Sequence, residues 1–128
     1  MKSIPTAFFA TGAVFALIGM AWGIQMSATH DHTLSPAHGH LNLIGFVAMS
    51  VFGAFYALSP GAAGSGLAKV HYGLTLLAVV VMVPGIAFAI TEQGEALAKA
   101  GSLLALLSMA LFCFIVLRNG VGTVREAA

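Results

Sequence analysis

The amino-acid sequence predicts an all-α membrane protein with four transmembrane helices. Three observations predict it. Only 7% of the 128 residues are charged, against about 25% in a soluble domain. Hydrophobic residues make up 59% of the chain, and its mean hydropathy is +0.99. The few charges leave between them charge-free runs long enough to cross a bilayer, which takes roughly 20 helical residues. A closed β-barrel is the other structure that lipid tolerates. Its alternating segments of roughly ten residues are missing here.

The elements follow in order as one domain, residues 1–128. The first span covers about 5–26. Lys2 precedes it in the manner of a signal peptide. The run is longer than a signal core, however, and no small-x-small cleavage site follows, so the segment is expected to stay. Gly19 and Gly23 form a small-xxx-small pair that lets another backbone approach. The second span covers about 36–58, with Ser35 expected as N-cap and Pro36 at the first helical position. Gly45 and Gly53 are its small contact residues. Residues 59–66, "SPGAAGSG", read as a flexible turn. The third span covers about 67–90, and Pro84-Gly85 is expected to kink it or interrupt its hydrogen bonds. The fourth covers about 98–117 and holds the single Cys113, expected as a small apolar packing residue. Short connections make neighbours antiparallel, so an up-down-up-down bundle is expected.

Basic residues set the orientation. Lys2, Lys69, Arg118 and Arg125 lie on one side. The first loop has no Lys or Arg, and the third sets Glu92 and Glu95 against Lys99. Both termini are therefore expected in the cytoplasm. The first loop then faces outward, toward the periplasm if the membrane is a bacterial inner membrane. Lipid is the expected surrounding, and a net charge of +1 points to no nucleic-acid partner.

Four of the five histidines fall in "THDHTLSPAHGHLNLIGF", residues 29–46. The helix start at Ser35-Pro36 divides them. His38 and His40 belong to the helix. Two positions apart on a helix is about 200°, so they leave opposite sides and serve two flanking sites, not one metal ion. His38 shares a small or polar face with Asn42, Gly45, Met49, Gly53 and Tyr56. His40 shares an aliphatic face with Ile44, Val47, Val51, Ala54 and Leu58. Ionisable residues within a span point to function, so both are cofactor-binding and metal-ligand candidates. His30, Asp31 and His32 form a second set of metal candidates in the loop. Met20 and Met26 add soft thioethers at the outer end of the first span, though packing is their ordinary role. His71 lies one turn into the third span, on the order of 25 Å from His40. It is read as a structural histidine at least as readily as a ligand.

The second span, "AHGHLNLIGFVAMSVFGAFYALSP", resembles the tenth helix of subunit I of the haem–copper oxidase superfamily, the cytochrome c oxidases and nitric oxide reductases. That helix carries His-x-His near its outer end, then small residues, an aromatic and a closing Leu/Pro. "HLN", His40 to Asn42, is similar to the His-x-Asn of the second helix in the reductase branch. The resemblance implies that His38 matches the ligand of the active-site haem and His40 the ligand of the low-spin haem. It covers about a fifth of the chain. Four helices resemble one of the three arcs of that subunit, which implies a homo-oligomer, a dimer or trimer, with a haem between His40 side chains of neighbouring protomers.

Two departures limit the resemblance. "VPGIAFAI" lacks the His-His copper pair, and no carboxylate or lysine sits mid-span to relay protons. Oxidase or reductase activity by this chain alone is therefore not expected. The leading expectation is a b-type haem protein for electron transfer or gas (O2/NO) sensing, with an unknown redox partner. A haem-free copper or zinc protein using His30, Asp31, His32, His38 and the methionines is the first alternative. The second is an accessory or structural subunit of a respiratory membrane complex.

Overall fold

A computed structural model describes residues 3–124, and Lys2, Arg125 and Glu126 lie outside them. Four long helices carry the chain: α1 (Ile4–Thr29), α2 (Ser35–Leu58), α3 (Gly66–Ile90) and α4 (Ala96–Asn119). Each is long and apolar enough to cross a membrane, and the described residues contain no strand. The chain is an all-α integral membrane protein. Its span ends fall within three residues of those expected, and all but the end of α1 within two, the usual spread of helix ends.

Helix ends follow local chemistry. Ser3 caps α1: its Oγ accepts from the Thr6 amide at 3.3 Å, with Pro5 in the first turn. His30 ends α1 in the left-handed region at φ 55°, a conformation that histidine tolerates better than most side chains. The start of α2 differs from expectation. Leu34, not Ser35, is the cap, no side chain bonds there, and Pro36 sits inside the first turn.

Two further features depart from the expectations above. Residues Leu41–Ala48 of α2 form a π-helix, a wider turn that is rare and often found at functional sites. It lies where α2 packs on α1. A Cβ on Gly45 would come within 3.0 Å of Phe15, and one on Gly19 would collide with Asn42 Oδ1. The 59–66 turn is anchored. It contains a helical turn, Pro60–Ala63, and buried Ser59, whose Oγ accepts from the Gly122 amide at 2.8 Å. The Gly61 amide donates to the Thr123 carbonyl at 3.1 Å. Helix α3 continues through Pro84, which has no N–H to give to the helix ladder. The neighbouring glycine serves close approach: a Cβ on Gly85 would lie 2.5 Å from the Ala98 amide nitrogen, and one on Gly101 2.5 Å from Met82 Cα. Backbones this close are the usual product of small residues between membrane helices.

The bundle is two hairpins, α1 against α2 and α3 against α4. They meet at two levels. The first turns of α2 pack on α3. At the other end of α2, a core of Phe8, Met49, Phe52, Phe55, Tyr56, Ala68 and Ile115 joins all four helices.

Candidate functional site

His38 and His40 leave α2 in different directions, as their spacing requires. His38 is half-buried and turned toward α1. Its Nε2 lies 2.9 Å from the Gly19 carbonyl and donates to it. Gly23 leaves room for the ring, since a Cβ there would lie 3.3 Å from the same nitrogen. Trp22 meets the ring edge to face, with centroids 5.8 Å apart. The Asn42 amide donates to the His38 carbonyl at 3.1 Å. Gly19-xxx-Gly23 thus admits His38 and Asn42, and the imidazole ties α1 to α2. The Gly19 carbonyl lies inside α1 and already serves the helix ladder, so the imidazole adds a second bond to it.

His40 is exposed and faces away from the chain, beside exposed Val47 and Val51. Its Nδ1–H donates to the Pro36 carbonyl one turn back, at 2.7 Å. The bond sets the tautomer: with the proton on Nδ1, the lone pair is on Nε2. Among the described residues nothing bonds to Nε2. Ligating histidines are typically held this way, through the nitrogen that does not bind.

The loop residues do not gather. His30 occupies the end of α1. Asp31 folds over its own turn, with Oδ1 accepting from the Thr33 amide at 3.0 Å and the Thr33 hydroxyl at 2.6 Å. The Thr33 hydroxyl foremost, then the Thr33 amide, holds the Asp31 carboxyl below its ordinary range. His32 is exposed. Met26 is buried, whereas Met20 is 65% exposed. Among the described residues, no three His, Cys, Asp or Glu side chains come together as a metal site.

His71 occupies the inner core. It shares the buried face of α3 with Thr75, Ala78, Met82 and Gly85, the set that helical periodicity groups together. The Tyr56 hydroxyl lies 2.9 Å from its Nδ1. Phe8, Phe52 and Phe112 surround the ring, the last stacked at 5.6 Å. Thr75 donates to the His71 carbonyl at 2.7 Å, which leaves Ser108 to donate to Thr75 at 2.6 Å. Nε2 of His71 is buried with no partner. Sequence reasoning grouped Tyr56 and His71 with their own helices but missed their pairing. Trp22 was missed as well, although a lone tryptophan at a helix's outer end is a visible signal. Cys113 is exposed on α4 rather than packed inside the chain.

No protein-family model matches this chain, and no curated protein or solved structure matches it.

Proposed function

We propose that this integral membrane protein binds haem b and serves electron transfer or gas sensing, with His40 as the axial ligand it supplies. One observation carries the proposal: an outward imidazole on an aliphatic face, its Nδ1–H held by Pro36 and its Nε2 unengaged. An ionisable group in that setting is costly without a partner. The aliphatic face around it suits a flat apolar macrocycle. A bound haem supplies one-electron redox chemistry and an iron able to take diatomic gases. The chain's own contribution is to fix the ligand's tautomer and direction.

His38 fits the same group less well. Ligation through its Nε2 would give up the bond to Gly19. In this proposal His38 positions α2, and the second axial ligand comes from His40 of a second copy, in a dimer or trimer. Both termini are then cytoplasmic, and the end of α2 bearing His40 lies at the periplasmic face of a bacterial inner membrane.

The test is the visible spectrum of protein purified from haem-supplied cells, with stoichiometry by pyridine haemochrome. Wild type should show a Soret band and sharp reduced α and β bands. His40→Ala should lose them, and His38→Ala should keep them. Full haem retention by His40→Ala would overturn the proposal.

A further inference from the structure

Asp31 is the only formally charged residue between Lys2 and Lys69. The first two helices and the loop between them therefore hold a carboxylate with no Lys or Arg to match it. Only Oδ1 is used by Thr33. Asp31 lines a pocket of about 190 Å³ at the mouth of the α1–α2 hairpin, together with Trp22, Gln25, Met26 and Leu34. Drug-sized sites begin near roughly 300 Å³, so this pocket takes a smaller group.

The lining has a definite chemical preference. Trp22 offers the side chain whose π-face attracts cations best. Its ring is braced by His38, which is itself held on Gly19. Asp31 offers a carboxylate oxygen, and Gln25 offers an amide oxygen. Met26 and Leu34 supply apolar contact. An anion would meet the Asp31 charge. A hard divalent cation would find one carboxylate where it needs six or more oxygens. A group with a positive charge, N–H donors and a short alkyl stem satisfies every part of the lining.

We propose that this pocket binds a primary alkylammonium group, with Asp31 and Gln25 accepting its N–H bonds and Trp22 facing its charge. The group has two sources at a membrane surface, a soluble amine or the ethanolamine headgroup of a phospholipid. This proposal is independent of haem at His40.

Trp22 is the only tryptophan, so all tryptophan emission comes from a residue that lines this pocket. The protein is purified in an uncharged maltoside detergent and titrated at pH 7 with propylammonium chloride, with sodium chloride at equal ionic strength as control. A saturable change in emission is expected with propylammonium and none with sodium. Tetramethylammonium, which has charge but no N–H, should bind more weakly. Asp31→Asn should weaken propylammonium binding by roughly tenfold or more, the scale of a lost hydrogen bond to a charged group. Its helical circular dichroism should be unchanged, because the residue is exposed.

The source is read by repeating the titration in two nanodiscs. In phosphatidylglycerol discs the amine should titrate as in detergent. In phosphatidylethanolamine discs, a pre-shifted emission that no longer responds identifies the headgroup, and a retained response identifies a soluble amine. Lack of saturation in detergent, equal affinity of Asp31→Asn, or a response to silver or zinc ions but not to propylammonium would overturn the proposal.

Discussion

Two histidines of this chain sit in opposite settings, and the contrast separates structure from function. His71 is enclosed by Tyr56, Phe8, Phe52 and Phe112, at the level where all four helices meet. Its free nitrogen faces no open surface. His40 is exposed at the other end of α2, and its free nitrogen is open. Each ring bonds through Nδ1. One bond buries an imidazole within the core, and the other aims an imidazole out of it. His38 stands between them in kind, spending its Nε2 on the neighbouring helix. A histidine in a membrane helix is therefore assigned by what its second nitrogen meets.

The inner region should be the stability centre. Phe8→Ala removes a fully buried ring that touches Phe52, Tyr56, His71 and Tyr72. It should cost about 3–5 kcal/mol, read as a large drop in detergent melting temperature with no change in the occupancy of the outer site. The outer hairpin contact comes next. Gly19→Val drives a side chain into Asn42 and should cost about 1–3 kcal/mol. Unlike Phe8→Ala, it should also disturb Trp22 fluorescence, because His38 would lose its seat on the Gly19 carbonyl.

A third change tests whether His71 is held as a pair. Tyr56→Phe strands Nδ1 as well as Nε2 and should cost about 1–3 kcal/mol. Adding His71→Phe should recover most of that loss, since two apolar rings leave nothing unpaired. A double variant less stable than Tyr56→Phe would show that His71 does more than pair with Tyr56.

The smallest effect belongs to the outer loop. Thr33→Val removes the hydroxyl bond to Asp31 and should raise the Asp31 pKa toward its ordinary value, read by carboxyl chemical shift against pH. The native-state pKa is depressed, so the Thr33 bonds favour the fold above the unfolded pKa of Asp31. That contribution fades as pH falls through the native value.

The spans were legible because a membrane helix needs only length and low charge: nine charged residues leave long charge-free runs between them, and the Gly- and Pro-rich 59–66 stretch divides the longest. The opposed directions of His38 and His40 were legible because they follow from helical geometry alone. Pairing was not legible. Periodicity groups the residues of one face, but with most faces apolar it does not say which helix each face meets. The Tyr56–His71 bond joins residues 15 apart across two helices, and no local pattern announces it. The π segment arises where Phe15 and Asn42 meet glycines across the α1–α2 contact. The anchoring of the 59–66 turn is not written locally, because its partners, Gly122 and Thr123, lie at the far end of the described chain.

The central claim is that His40, not His71 or His38, is the outward ligand. Reduced-minus-oxidised spectra of His40→Ala, His38→Ala and His71→Phe, purified side by side from haem-supplied cells, test it directly. The account predicts loss of the haem bands in His40→Ala alone, with His38→Ala and His71→Phe retaining them at lower stability. Haem bands that survive in His40→Ala and vanish in His71→Phe would contradict it.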